Sequence, residues 1–299
     1  MQYNISPETL IDDRPYSLHI DEMVAGKFPN IDEDKVMTAN GHCFRRDIHG
    51  FLPKMMERMY DDRVIAKKAM LEAETLLQEE TDTQRRKQLN NEISKYKNLQ
   101  LAKKVQLNSA YGALGNEYFR FFDIRQATAI TMGGQLSIRW IERKMNEYLN
   151  KLLGTGNEDY VVASDTDSLY IVFDGLVNKV LPKGSDLSED QYKRKVVDFL
   201  DNVARQKIEP FIDKSYEELA KGMNAYAQKM QMKREVIADR GIWTAKKRYI
   251  LNVHDSEGVR YKEPKLKMMG IEAVKSSTPE ICRTAIKDAL KIVMEGQEV

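Results

Sequence analysis

Asp165-Thr166-Asp167-Ser168 places two carboxylates close enough to share a metal ion. The motif lies between two runs rich in β-branched and aromatic residues, Tyr160 to Ser164 and Leu169 to Phe173, the pattern of two strands around a short acidic turn. In a hairpin Thr166 faces opposite to its neighbours, and the two aspartates can share one side. Carboxylates on one side repel each other unless a cation joins them. Mg²⁺ suits such a place, because it takes one or two carboxylates and leaves its other positions to water and substrate phosphate. Alone, the motif has a plainer reading as a solvated turn, where aspartate is common. The apolar flanks argue for a central sheet over a surface ribbon.

Two further clusters carry charge. Lys104, Asn108 and Tyr111 stand at i, i+4 and i+7 and line one helix face. A cation, an amide and a ring on one stripe suit a phosphate, a sugar edge and a base. Arg63 and Lys67, at i and i+4 on the preceding helical stretch, offer a matching stripe. Facing helices would close several cations around a triphosphate, Arg as a planar fork and Lys as a point charge. An i, i+4 basic pair by itself is an ordinary solvated helix face. The third cluster is Thr244-Ala-Lys246-Lys247-Arg248-Tyr249. On a strand, Lys246 and Arg248 take one face, Lys247 and Tyr249 the other. Three consecutive cations beside an aromatic suit a nucleic-acid backbone, and equally an exposed basic strand.

These residues need elements to position them. Pro53 sits where the first turn of a helix tolerates proline. Met55, Met56, Met59, Val64, Ile65, Met70 and Leu71 then recur at helical spacing up to about Leu77. Gln78 to Thr83 is a polar turn, and a second helix runs from about Gln84 to Ala110. The two form an antiparallel helical hairpin without a clean heptad. Ile124 to Leu149 is a helix with Ala127, Ile130, Leu136, Ile138, Trp140, Ile141 and Met145 facing a core; its Gly133-Gly134 pair predicts close packing on a neighbouring backbone. Met1 to Leu10 is core-like. Asn40-Gly41 and His49-Gly50 break the apolar pieces of 36–52 into a small hairpin. Asp190 to Ala220 is helical, while Met230 to Ile237 and Ile242 to Val253 alternate like strands. Ser276-Ser-Thr-Pro279 marks the start of a last helix, with Thr278 or Ser277 as its cap.

Composition sets the bounds. The chain has 299 residues, 42% of them hydrophobic, enough for a core and against wholesale disorder. The net charge of +1 conceals asymmetry. Residues 1–50 carry 5 Lys/Arg against 9 Asp/Glu, residues 51–115 carry 12 against 9, and residues 230–270 carry 10 against 5. The basic stretches are candidates for a polyanion partner. Cys43 and Cys282 form neither a metal spacing nor a disulfide framework, which fits a reducing cytoplasm. No apolar run reaches membrane-span length, and no signal-peptide pattern opens the chain.

The ordered set Lys104-x-x-x-Asn108-Ser109-x-Tyr111-Gly112, then Asp165-Thr-Asp-Ser168, then Lys246-Lys-Arg-Tyr249 resembles the family B DNA polymerases. The segments Tyr111 to Asn116, Ala127 to Thr131, Trp140 to Lys144 and Asn146 to Asn150 are similar to the replicative polymerases of large tailed phages, and the likeness runs from Asn4 to Pro279. Each motif alone is weak; three in order are specific. The resemblance implies an α+β fold shaped as a hand: a palm with an antiparallel sheet packed on helices and a protruding two-helix fingers subdomain. Residues 1–49 would be the first part of the palm and 50–116 the fingers. Residues 117–270 would be the palm with catalytic hairpin and primer grip, and 271–299 the start of a thumb.

Residue by residue, the resemblance puts Asp167 at the carboxylate that binds both catalytic ions and Asp165 at its neighbour. Lys104, Arg63, Lys67 and Asn108 match contacts to the incoming triphosphate. Tyr111 matches the residue beside the nascent base pair. Lys246, Lys247, Arg248 and Tyr249 match the element that grips the primer terminus. Glu235, in Lys233-Arg-Glu-Val236, stands at an accessory metal carboxylate. The implied partners are primer-template DNA and a deoxynucleoside triphosphate, with two Mg²⁺ ions, or Mn²⁺, as cofactors. In the implied reaction the primer 3′-hydroxyl attacks the α-phosphorus in line and pyrophosphate leaves, with two metals ~3.5–4 Å apart serving the attacking and leaving oxygens.

The family pattern holds another aspartate upstream, in a strand with Ser-Leu-Tyr-Pro directly after it, and Gln2 to Glu8 resembles the next segment of that pattern. The expectation is therefore one part of a split or truncated polymerase, inactive or poorly active alone. An upstream piece would carry the exonuclease and the missing aspartate, and a sliding clamp would bind a C-terminal segment outside this chain. The Asp-Thr-Asp hairpin would then show an apolar edge. The location would be the host cytoplasm if the chain is phage-encoded. Two other readings are a non-catalytic module that holds primer-template DNA, and a helical-hairpin protein whose three ordered motifs are coincidence.

Overall fold

Residues 2–6 are buried, as the core-like start predicts. The computed structural model describes residues 1–183 and 187–296; the last residues of the expected thumb segment, 297–299, lie outside them. β1 (Leu10–Ile11), a short helix α1 (Ile20–Val24), β2 (Lys35–Met37) and β3 (Cys43–Arg45) come first. The strands form an antiparallel sheet in the order β1-β3-β2, with Val36 opposite Phe44. The expected Asn40-Gly41 turn joins β2 to β3. Gly41 has φ +81°, and a Cβ there would stand 2.2 Å from the Tyr16 carbonyl oxygen.

Next come α2 (Phe51–Glu79) and α3 (Thr83–Leu114), the antiparallel hairpin, each a few residues longer than the sequence suggests. Asp82 caps α3 by accepting from the Arg85 N–H at 2.6 Å. The Arg86 guanidinium donates to the carbonyls of Leu77 and Glu80, closing the end of α2. The seam is thin. Only Leu52, Pro53, Ala66 and Ala73 of α2 and Leu89 and Leu114 of α3 are buried, which is why no heptad is visible.

α4 (Ile124–Leu153) is the spine of the body, ended by Gly154 in the left-handed region at φ +74°. The Trp140 indole N–H donates to the Ser215 carbonyl at 2.8 Å. The acidic hairpin is β4 (Val161–Asp165) and β5 (Ser168–Ile171); after it come α5 (Asp174–Val180), α6 (Glu189–Val203), a π-helical turn (Ala204–Ile208) and α7 (Glu209–Gly222). The chain then makes an antiparallel sheet, β6 (Val236–Ala245), β7 (Arg248–Ser256) and β8 (Val259–Met269), and ends in α8 (Glu280–Glu295). The fold is thus α+β, helices with antiparallel sheets. The main core joins Tyr3, Val36, Phe44, Leu136, Trp140, Ile141, Met145 and Leu219. β7 divides by its period of two: Tyr249, Leu251 and Val253 pack with Tyr170, while Ile250 packs in a separate core with Met294 of α8.

Several expectations need correction. Residues 230–235 form no ladder; the strand begins at Val236 and runs on to Ala245. β8 is not visible in the sequence pattern because Lys262, Glu263, Pro264 and Lys265 are all exposed and break the alternation; as an edge strand it tolerates Pro264. Gly133 packs on the Tyr3 ring, not on a backbone, with a Cβ position 3.4 Å from that ring, and Gly134 faces open space. α8 is capped by Pro279 with no side-chain hydrogen bond, so neither Thr278 nor Ser277 serves. The acidic hairpin is a two-stranded ribbon among the described residues, not part of a wider sheet, with Val162 and Val172 exposed.

Polar joints hold these units. Asn4, fully buried with φ +54°, donates to the carbonyls of Arg45 and Ile48, both at 2.7 Å, and accepts from the Gly50 N–H at 2.9 Å. Asn4→Gly keeps the left-handed backbone and removes three hydrogen bonds, so a loss of about 2–4 kcal/mol is expected in urea unfolding, and Asn4→Ala should lose more. Asp239 accepts from Asn252 at 2.8 Å and lies 3.0 Å from the Lys193 ammonium and 3.2 Å from the His254 ring, tying α6 to the sheet. Burial pushes its carboxyl up, but the hydrogen bonds from His254, Lys193 and Asn252 outweigh burial and hold it well below the usual range. A depressed folded pKa gives stability that is present above the unfolded value of about 3.9 and lost as pH falls below it. Melting temperatures from pH 7 down to pH 2 should therefore fall more steeply for the wild type than for Asp239→Asn.

Candidate active site

Asp165 ends β4 and pairs with Ser168, so Thr166 and Asp167 are the two turn residues. Thr166 adopts φ +56°, and the Asp167 N–H donates to the Asp165 carbonyl at 2.6 Å. Strand alternation therefore stops at Asp165. It does not decide that Thr166 opposes both aspartates: Asp165 is aimed by the strand and Asp167 by the turn. The Thr166 hydroxyl donates to the Asp165 carboxylate at 3.1 Å, and the Ser168 hydroxyl to the Asp165 carbonyl at 3.2 Å. Beneath the turn, Val161, Leu169 and Ile171 join the main core. Tyr170 packs against Trp243 and Tyr249, with ring centroids 5.4 and 5.3 Å apart, fixing the ribbon to the β6–β7–β8 sheet. Burial raises the phenol pKa of Tyr216 on α7, and the charges of Tyr3 and Asp167 add to it. Among the described residues no group of three His, Cys, Asp or Glu gathers to hold a metal. The two carboxylates are hard oxygen donors and fit Mg²⁺, whose other positions go to water and phosphate.

On the hairpin, Lys104, Asn108 and Tyr111 are exposed on α3. Lys103 pairs across the seam with Asp62 at 2.7 Å, which sets the register and brings Lys104 level with the turn of α2 that holds Arg63. Asn108 and Tyr111 lie farther toward the base of the hairpin, about 6 and 10 Å along the axis. Arg63 is half-buried, and its Nε is shielded from solvent without a partner. Lys67 lies one turn farther out and is ion-paired with Glu257, in the turn between β7 and β8. The structure thus brings Arg63 and Lys104 to one level, while the ammonium of Lys67 is engaged elsewhere. Lys54 and Arg58, which sequence reasoning missed, line a groove of about 400 Å³ at the foot of α2 with Phe51, Met55, Met59 and Asp62. The helical i, i+3, i+4, i+7 spacing of this set was the available signal.

The basic cluster is a turn, not a strand. Ala245 pairs with Arg248, leaving Lys246 and Lys247 as the exposed loop, Lys247 at φ +61°. The expected split, Lys246 with Arg248 and Lys247 with Tyr249, is overturned because a turn interrupts the pleat. Gly270 is obligatory here: its Cβ would stand 2.2 Å from the Lys247 carbonyl oxygen. Arg248 reaches Glu272 at 2.5 Å, and Tyr249 is buried against Tyr170. Glu235 is exposed and pairs with Lys267 at 2.6 Å, and its carbonyl accepts from the Glu257 N–H at 2.6 Å. Glu257, Tyr170 and Trp243 carry no sequence motif that singles them out. Glu257-Gly258 is a turn dipeptide, but nothing local says that it meets a helix 190 residues away.

The sequence also matches known proteins over the segments that build this site. It is 36% identical over 344 aligned positions to the DNA-directed DNA polymerase of Enterobacteria phage T4, an alignment covering 99% of this chain and 38% of that protein. It is 46% identical over 207 positions to the DNA-directed DNA polymerase of Escherichia phage RB69, covering 67% of the chain and 22% of the relative. DNA polymerase 1 of Pyrococcus abyssi is 24% identical over 297 positions, 99% of the chain and 28% of its own length. The chain therefore spans well under half the length of these relatives. The sequence pattern of DNA polymerase family B matches residues 1–193, which include the helical hairpin and the Asp165–Asp167 turn. With that match over more than half of its length, the chain belongs to DNA polymerase family B.

Proposed function

We propose that this chain serves template-directed DNA synthesis as the fingers and most of the palm of a polymerase. Residues 1–49 and 117–270 act as palm, 50–116 as fingers, and the segment from 271 as the start of a thumb. The observation that carries this reading is the placing of Asp165, at the end of β4, and Asp167, in the turn after it, on a hairpin seated on the core, in a chain that also carries a basic helical hairpin and a basic turn.

Asp165 and Asp167 would hold Mg²⁺, which when bound polarises phosphate oxygens and lowers the pKa of an attacking hydroxyl. Glu235 is the accessory carboxylate and would have to release Lys267 to serve. Arg63, Lys104 and Asn108 bind and orient the triphosphate, and Lys67 joins them on release from Glu257. Tyr111 stands at the base of the same stripe, where a nascent base pair would lie. Lys246 and Lys247 meet the primer backbone, while Arg248 and Tyr249 fix the turn that presents them. The same reading includes a polypeptide segment that brings the family's other aspartate to the site. It places the protein in the host cytoplasm. No helix among the described residues is long and apolar enough to cross a membrane.

The test is Mg²⁺-dependent primer extension by the purified chain, with and without an upstream piece bearing that aspartate. Little or no extension alone and robust extension on complementation are expected; robust synthesis by the chain alone would remove the need for a second piece. Asp167→Ala should lower the complemented rate by about a thousandfold or more, the worth of several kcal/mol of charge stabilisation, with DNA binding retained. If complementation gives DNA binding and no synthesis, the chain is a primer-template binding module. Lys246→Gln and Lys247→Gln should each reduce the salt dependence of primer-template binding by about one unit of log–log slope. An unchanged slope would move the primer contact off this turn.

A further inference from the structure

Lys67 is half-exposed on α2, yet its ammonium is not free: it is hydrogen-bonded and ion-paired to the Glu257 carboxylate. Glu257 lies in the β7–β8 turn, at φ +51° beside Gly258 at φ +92°, so the backbone there is set by the turn and not by a strand. The turn is bolted down from below. The Gly258 N–H donates to the Asp255 carboxylate at 3.0 Å. Asp255, 1% exposed, also accepts from Arg260 at 3.0 Å and from Arg234, which in turn grips Asp201 of α6. The Glu257 N–H donates to the carbonyl of Glu235. One short segment therefore links α6, the residue just ahead of β6 and, through the Lys67 ion pair, the helical hairpin. Around this pair α2 lies against β8, where Glu74 is flanked by the charges of Lys265 and Lys97.

We infer that Glu257 is an internal counter-ion that occupies Lys67 in place of the triphosphate until nucleotide displaces it. This rests on the reading that Lys67 contacts the triphosphate. The Glu257 carboxylate takes up the Lys67 ammonium and repels a second anion brought close to it, so carboxylate and phosphate compete for the lysine. The triphosphate carries more charge and wins, but it must first break the pair, and its apparent affinity is reduced accordingly. Because the turn is held by Asp255 and its arginines, and the hairpin by its N-terminal joint and β8, the part that moves is the Lys67 side chain. Nucleotide binding and release of Lys67 from Glu257 are then one event, and Glu257 acts through Lys67 as a positioning residue.

The experiment is equilibrium binding of dATP with Mg²⁺ to the full chain, in wild type and in Glu257→Gln, Lys67→Gln and the double variant. Removing a charge-assisted hydrogen bond of this kind should tighten binding about three- to tenfold in Glu257→Gln. Lys67→Gln should weaken it, and Glu257→Gln should then have no further effect in the Lys67→Gln background. Glu257→Asp, which keeps the charge and shortens the reach, should tighten binding less than Glu257→Gln. A purely structural role for Glu257 would shift affinity equally in both backgrounds, and that result overturns the inference. So does unchanged or weaker binding in Glu257→Gln while Lys67→Gln, Arg63→Gln or Lys104→Gln still weakens it; the triphosphate assignment then stands without the counter-ion. If none of the three cation variants changes dATP affinity, the triphosphate assignment falls and the counter-ion falls with it.

Discussion

Asn4 sits where three pieces of chain must meet, and the position of the helical hairpin depends on its side-chain hydrogen bonds. α2 has no capping side chain of its own, because its N-cap is Gly50. Its first N–H groups are taken instead by residues some 45 positions earlier: Gly50 by Asn4, Phe51 by Glu8 at 2.6 Å, and Leu52 more weakly by Ser6 at 3.4 Å. Gly50 must be glycine, since a Cβ there would meet the Ser6 Cβ at 2.6 Å. A carboxylate at a helix N-terminus is favoured by the exposed N–H groups. Burial pushes the Glu8 carboxyl up, and the hydrogen bonds from Ser6 and Phe51 outweigh it and hold it down. The hairpin buries few apolar side chains, so this joint and the contact with β8 fix where Arg63, Lys67 and Lys104 lie.

The acidic turn has a different kind of mount. Its underside is apolar and joins the main core, while Tyr170 carries the contact to Trp243 and Tyr249. The same sheet presents the Lys246–Lys247 loop at one end and the Glu257 turn at the other, both ends of β7. β7 is therefore the bar on which the acidic turn, the basic turn and the counter-ion of Lys67 are arranged. The cluster of Asp201, Arg234 and Arg260 around the buried Asp255 secures that bar to α6. Such ion pairs contribute little net stability against an apolar core, but leaving one charge alone is costly, so they specify a single arrangement.

Much of this was legible from local pattern. The helical hairpin, the long α4 helix, the acidic strand pair and the final helix arise from spacing, proline and glycine signals that act within a few residues. The misreadings share a cause. Around Lys246 the residue types suit a strand, yet the two-residue turn is decided by how Ala245 pairs with Arg248 and how closely Gly270 passes. β8 has an exposed polar run because it is an edge, and edge position is not written in the strand itself. Tyr249 looks like an exposed aromatic among cations, but the pleat turns it inward onto Tyr170.

The sequence by itself determined the long helices and the acidic hairpin, the α+β class, the three motifs and, through their order, the family. Only the tertiary structure decided which charges meet. Lys67 with Glu257, Arg234 with Asp255 and Asp201, and Asn4 with the start of α2 are pairings between separate elements, in the first case 190 residues apart. Side-chain periodicity reports neighbours on one helix or strand. Whether a lysine ends in solvent, on a phosphate or on a carboxylate depends on what the packed core brings opposite to it.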